Sequence, residues 1–262
     1  MVQRKLFKAF VELTGRPLSS SILKTFTRSS ISRPLIQPFS RYFEVNEKEM
    51  ERPLNTYDSL NSFFTRNLKE GSRVIDPSPD TLVSPVDGIV NGMGTVNEDQ
   101  EFYIKGQPYQ LADIFGSRQK AGRYAGGFFY ILYLSPSHYH HFHYPVDGDI
   151  ISRYALGNVS YPVNELGLQL GDRPFATNYR LISEMETNYG NLAIVKVGAL
   201  NVNSVQIRNA SKVAVKGEEF GHFSFGSTVI LFLEPRSDFQ PLIEDRADVK
   251  VGQPIGRWMP KA

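Results

Sequence analysis

The chain has 262 residues, 41% of them hydrophobic and 21% charged, the make-up of one sizeable globular domain. It contains no cysteine, which excludes disulfides, thiolate metal sites and cysteine nucleophiles. Net charge is only +2, yet residues 1–41 carry eight Lys or Arg against Glu12 alone, a net of +7 that leaves −5 for the remainder, and such asymmetry points to an anionic partner.

Along the chain, Val2, Leu6, Phe10 and Leu13 recur at helical spacing opposite Arg4, Lys8 and Glu12, predicting a short amphipathic helix. Neither a signal peptide's apolar core and cleavage site nor an apolar run of about 18 residues, the length needed to span a bilayer, is found. Gly15-Arg16-Pro17 breaks the first helix. Ser19 to Ser21 can cap a second, with Ile22, Leu23 and Phe26 inward and Lys24 and Arg28 outward. A third helix is expected over Tyr57 to Leu68, its apolar side formed by Leu60, Phe63, Phe64 and Leu68.

From Val83 the texture changes. Phe128 to Leu134, Leu192 to Val197, Val202 to Ile207, Lys212 to Val215 and Thr228 to Leu233 are rich in β-branched and aromatic residues, with Gly, Asn, Asp and Pro between them. The predicted fold class is therefore α+β. A short helical, basic region (residues 1–70) precedes a β-rich, barrel- or sandwich-like catalytic domain (residues 71–262). Two echoes suggest repeated turn-then-strand units. Pro-Val-Asp-Gly occurs at Pro85 to Gly88 and at Pro145 to Gly148, and Lys216-Gly217 to Gly221 resembles Val251-Gly252 to Gly256.

Histidine is the strongest anomaly, because four of the five (His138, His140, His141 and His143) fall within six residues. Imidazole takes and gives a proton near neutral pH, so the cluster suits acid–base work, although His-rich tracts also bind metals. No Glu follows in a zincin-like arrangement, and the nearest downstream acid, Asp147, lies in a predicted turn. In a strand His140 and His143 would face opposite ways. Ser135-Pro136 suits a helix start, and one helical turn there would bring both rings to one site.

Phe225-Gly226-Ser227-Thr228 heads an apolar strand. A Gly-Ser pair there is ordinarily a turn. Gly226 also leaves its carbonyl unshielded, and the Ser227 hydroxyl can attack that carbonyl once a base takes its proton. The peptide bond becomes an ester, elimination breaks the chain, and the resulting dehydroalanine loses ammonia to become a pyruvoyl group. Asp87, in Ser84-Pro-Val-Asp-Gly88, reads either as a turn acid or as the carboxylate that orients a histidine.

In order and combination these segments resemble the phosphatidylserine decarboxylase family, from about residue 57 to the end. Ser84 to Gly88 is similar to its aspartate motif, Tyr133 to His143 to its histidine segment, and Phe225 to Thr228 to its self-cleavage motif. Asn61-Ser-Phe-Phe-Thr-Arg-Asn-Leu68 and Val197-Gly-Ala-Leu-Asn-Val202 match in kind, while Phe225 stands where many members carry Leu. The resemblance implies a triad of Asp87, His143 and Ser227 with His143 as the base, cleavage between Gly226 and Ser227, and His140 acting in decarboxylation. It implies a pyruvoyl group from Ser227 that forms a Schiff base with the substrate amine, with no metal and no nucleic acid. It further implies chains 1–226 and 227–262 that stay together as a heterodimer, further homo-oligomerisation being left open. The substrate would be phosphatidylserine, met at an anionic membrane by a peripheral enzyme on the cytoplasmic side. A pyruvoyl decarboxylase of soluble amino acids and a lipoyl- or biotinyl-like carrier are the competing readings. The first needs no basic amphipathic amino terminus, and the second needs a hairpin-tip Lys beside Met or small residues, which no Met here supplies.

Overall fold

The computed structural model describes residues 24–104, 107–157, 163, 173–198, 205–224 and 227–259. The first predicted helix, the start of the second, Val202, Phe225, Gly226 and the Ser227 side chain lie outside the described residues.

An eight-stranded sheet organises the molecule. Its order is β11 (Val213–Ala214), β7 (Gly148–Leu156), β8 (Arg180–Thr187), β9 (Gly190–Gly198), β13 (Ser227–Leu233), β5 (Phe128–Leu134), β2 (Gly88–Thr95) and β15 (Asp248–Val249). Central β13 pairs antiparallel with both β5 and β9, matching Ser227 to Leu134 on one side and to Gly198 on the other. Its unbroken apolar run reflects burial on both faces. Val229, Leu231 and Leu233 join a core with Tyr130, Leu132 and Ile194, whereas Ile230 and Phe232 enter a second core with Phe129, Ile131 and Val195. Burying each such side chain contributes roughly 1.5–3 kcal/mol, so this strand anchors the fold.

Three small antiparallel sheets complete it: β1 (Thr81–Val83), β16 (Pro254–Trp258) and β14 (Phe239–Pro241); β10 (Val205–Ile207), β12 (Glu219–Phe223) and β6 (His141–His143); and the hairpin β3 (Glu101–Ile104) with β4 (Gln107–Gln110). The α+β, β-rich expectation is met. The helices that lie wholly within the described residues are short: α1 (Ile36–Tyr42), α2 (Leu60–Phe64), α3 (Leu111–Phe115), α4 (Arg118–Ala121) and α5 (Pro174–Thr177), and residues 24–28 are helical as expected of the second predicted helix.

The helix predicted over Tyr57 to Leu68 shrinks to α2. Ser59 and Ser62 form a reciprocal capping box at its start. At its end the Thr65 hydroxyl turns back to the Asn61 carbonyl, and the chain straightens so that Leu68 bridges to Met50. Ile36, Phe39, Tyr57, Leu60, Phe63 and Phe64 share a third core. The strand predicted over Lys212 to Val215 is the two-residue β11, and that ending at Ile207 is described from Val205.

Both sequence echoes fold as matched halves. Val83 N–H donates to the Pro145 carbonyl, and His143 N–H donates to the Pro85 carbonyl. Gly252 N–H donates to Ser84, and Gly217 N–H to Tyr144. Val251 N–H donates to Asp87 Oδ1 at 2.9 Å, and Lys216 N–H to Asp147 Oδ1 at 2.7 Å. Gly217 and Gly252 adopt φ of 81° and 85°, the left-handed region that glycine enters at little cost. A Cβ on either would strike Ile75, which sits between the two turns. The pairing carries the backbone of His143 to the Asp87 turn.

Candidate active site

The histidine segment leaves β5 at Leu134, the residue opposite Ser227. The single turn expected from Ser135-Pro136 is present, closed by His138 N–H on the Ser135 carbonyl, but it ends before His140 and the chain extends into β6. Ser135 is the reason: its hydroxyl bonds to Ser137 Oγ at 2.7 Å, and its own N–H donates to His138 Nδ1 at 3.0 Å. Phe223 N–H donates to the His140 carbonyl at 2.9 Å, so the strand leading towards Ser227 is stitched to His140.

Two imidazoles are presented alike. His140 Nδ1 lies 2.8 Å from the His138 carbonyl, and His143 Nδ1 lies 2.8 Å from the Gly217 carbonyl. A carbonyl only accepts, so Nδ1 carries the proton in both rings and Nε2 keeps its lone pair. Both Nε2 atoms are buried with no hydrogen-bond partner among the described residues. Burial holds His140 well below the usual histidine pKa, with the Arg66 cation adding to the effect. Burial also lowers His143, partly countered by the Gly217 carbonyl and by the charges of Glu219 and Asp87. At neutral pH these are two neutral, desolvated imidazoles, each with a free lone pair on Nε2 among the described residues.

Asp87 is 5% exposed. Arg73 grips it with two nitrogens, Nε to Oδ1 at 2.8 Å and Nη2 to Oδ2, and Val251 N–H completes the set. Arg73 also reaches Glu49 at 2.9 Å. Among the described residues Asp87 makes no hydrogen bond to a histidine: the ring of His143 is oriented by Gly217, and Asp87 acts on it through its field. Its twin Asp147 has the backbone donor but no such arginine among the described residues, and sits in the turn its sequence suggests.

Sequence reading left several groups at this site without a role. His222, on β12 opposite His141, brings the fifth histidine to the cluster with its ring 5.2 Å from that of His141. Burial pulls it down to about 4. His141 itself sits 2.9 Å from Glu219 Oε1, an ion-pair distance off the hydrogen-bond direction, and donates from Nε2 to the Thr65 carbonyl. The Phe64 ring lies 3.9 Å from that of His140, and Arg66 donates to the Ser137 and His138 carbonyls. Lys196, fully buried beneath β6 and β12, donates to Ser183 Oγ at 2.6 Å, and burial drives its pKa far down. His222 left a sequence trace as the one histidine outside the cluster, and Phe64 and Arg66 lie in the Asn61 to Leu68 segment that resembles the family; Lys196 left none. Among the described residues no group of three or more His, Cys, Asp or Glu is placed to hold a metal ion.

Comparison with known proteins matches residues 60–257 to the family model described as phosphatidylserine decarboxylase. The chain belongs to that family. It is 46% identical over 259 residues to the phosphatidylserine decarboxylase proenzyme of Geobacillus kaustophilus, covering 98% of both chains. It is 44% identical over 261 residues to the proenzyme of that name from Halalkalibacterium halodurans, covering 98% of this chain and 100% of the relative. The family's members are decarboxylases, and this chain is an enzyme of that kind. The resemblance read from the Ser84, Tyr133 and Phe225 segments thus holds over nearly the whole length.

Proposed function

We propose that the chain is a proenzyme that cuts itself between Gly226 and Ser227, and that the processed enzyme converts phosphatidylserine to phosphatidylethanolamine and carbon dioxide. The supporting observation is the pair of buried bases, His140 and His143, on a segment that starts beside Ser227 and is bonded to the strand just before it. In the cleavage step the Ser227 hydroxyl adds to the Gly226 carbonyl and passes its proton to His143 Nε2. His143 returns a proton to the departing nitrogen, leaving an ester between residues 226 and 227. Loss of the residue 227 Cα proton then expels the Gly226 carboxylate, and hydrolysis of the dehydroalanine releases ammonia. Asp87, fixed by Arg73, supplies the negative charge that favours the imidazolium on His143 while it holds the proton.

The donor set suits a pyruvoyl group at residue 227: the desolvated lone pairs of His140 and His143 lie on the segment that follows Leu134, the residue paired with Ser227, and among the described residues no cation other than Arg66 grips that segment. When formed, that group draws off the electrons released as carbon dioxide leaves. His140 Nε2, neutral at rest, takes the proton that the substrate's ammonium sheds and hands it to the carbon that lost the carboxyl. Cleavage would not part the chains, because residues 227–262 supply β13, β15 and β16, paired with β5, β9, β2 and β1 of the larger piece.

Membrane contact belongs to the same proposal. No helix among the described residues is long and apolar enough to cross a bilayer. Exposed Ile31 and Tyr42 lie among exposed Arg28, Arg33 and Arg41, continuing the basic segment that begins at Arg4. Each Lys or Arg near an anionic leaflet contributes about 1 kcal/mol. We assign residues 1–70 this membrane-facing role and residues 71–262 the chemistry. Denaturing mass analysis tests the core of the proposal. Wild type should give two fragments, the smaller beginning with a ketone, while Ser227→Ala and His143→Ala stay whole and inactive. His140→Ala should cleave yet turn over poorly. An active, uninterrupted chain with serine at 227 would refute the proposal. Deleting residues 1–30 should weaken binding to phosphatidylserine vesicles, and undiminished binding removes the membrane assignment.

A further inference from the structure

The end of α2 grips the histidine segment with three consecutive residues. Phe64 lies against the His140 ring at 3.9 Å, the Thr65 carbonyl takes the His141 Nε2 proton at 3.2 Å, and Arg66 holds the turn between them. The two hydrogens of Arg66 Nη2 go to the Ser137 carbonyl at 2.6 Å and the His138 carbonyl at 2.9 Å. The His138 carbonyl is also the acceptor for His140 Nδ1–H. One oxygen therefore links the guanidinium to the imidazole.

The surroundings of Arg66 make this more than a structural tie. It is 3% exposed, and among the described residues no carboxylate pairs with it. A buried cation bonded only to neutral carbonyls costs stability, since its desolvation goes uncompensated by an opposite charge. A neutral donor would close the same turn without that cost. What the cation adds is charge and a rigid planar fork, which a freely rotating ammonium lacks.

We infer that Arg66 is a positioning residue for the decarboxylation step: it fixes the carbonyl that sets the tautomer and orientation of His140, and its charge opposes a second proton on that ring. The charged or titratable groups that face His140 are Arg66 from α2 and His138 and His141 from its own segment, all of which disfavour the imidazolium. Arg66 keeps its own charge throughout, because burial lowers it only to about 10. The inference rests on the reading of His140 as the group that moves the proton.

The test compares processed wild type, Arg66→Met, Arg66→Lys and His140→Gln, with the full chain in each case. Both Arg66 variants should still cut themselves, as His143 is held separately. Arg66→Met should lose roughly 10- to 100-fold in kcat with KM little changed, the scale expected when a reacting group is displaced by about an ångström. The acid limb of its kcat–pH profile should move to higher pH. Arg66→Lys should restore the position of the limb but not the full kcat. Nitrogen NMR of the His140 ring, assigned by its loss in His140→Gln, reads the tautomer without turnover. Wild type should show Nδ1 protonated at neutral pH, and Arg66→Met a mixed or doubly protonated ring. Unchanged ring shifts and an unmoved limb in Arg66→Met would overturn the inference. Should Arg66→Met fail to fold, kcat and the ring shifts of Arg66→Lys decide, since wild-type values of both there would overturn it. Full turnover by His140→Gln would refute the reading of His140, while the ring shifts would still decide whether Arg66 sets the tautomer.

Discussion

Replacing Arg73 by Leu isolates what holds Asp87 in place. The substitution removes both guanidinium bonds to a carboxylate that is 5% exposed, leaving the Val251 N–H as its remaining hydrogen bond among the described residues. Breaking a buried ion pair by deleting one partner costs about 3–5 kcal/mol. The expected loss is therefore about 3–5 kcal/mol, with Glu49 adding little because it is more open to water and keeps Lys250 at 3.1 Å. The assay is urea unfolding at pH 7 in a Ser227→Ala background, where the chain stays whole and a single transition is defined. Asp87→Asn in the same background should recover at least about 1 kcal/mol when combined with Arg73→Leu, because the uncompensated charge is then gone. A loss below about 1 kcal/mol, or strictly additive single mutants, would refute the view that Arg73 and Asp87 stabilise each other.

His222 should make stability fall with acid. The unfolded ring binds a proton near pH 6.5 and the folded one only near 4, so its contribution is complete above 6.5 and drains away as pH drops towards 4. Wild type should lose about 1–2 kcal/mol more than His222→Gln between pH 7 and pH 5 by urea unfolding, and equal losses would count against a buried neutral His222. Lys196→Met should leave stability at pH 7 unchanged or raise it by about 1–3 kcal/mol, since the buried amine must shed a proton that the unfolded chain keeps. A drop of more than about 1 kcal/mol would mean that the Lys196–Ser183 bond outweighs desolvation. Gly217→Ala should cost about 1–2 kcal/mol through its φ of 81° and its collision with Ile75. Ile75→Ala should relieve only the collision, and full recovery in the double variant would show that backbone strain there is negligible.

The parts of this molecule that are legible in its sequence are those in which a short stretch of chain decides its own conformation. The runs that form β5, β9 and β13 stand out because both faces are buried, and burial on both faces requires continuous apolar residues. The two echoes stand out because each half needs the same Asp and the same glycine to close its turn. Helix α2 is shorter than its apolar spacing suggests, since nothing local announces that Leu68 leaves to bridge with Met50. Ser135-Pro136 announces its single turn, but nothing local says that the turn stops before His140, where Ser135 binds its own neighbours instead. Arg66, Arg73 and His222 stay hidden for a different reason. Arg66 meets its carbonyl acceptors 71 and 72 residues away, and Asp87 meets Val251 across 164. Arg73 lies 14 residues before Asp87 with a strand between them. An arginine in a polar stretch looks the same whether it ends in solvent or against a buried carbonyl. The groups proposed for the chemistry carry a compositional signature, a histidine cluster and a glycine before a serine. Those that hold them in place acquire their meaning only when the β6–β12 pairing and the end of α2 close around them.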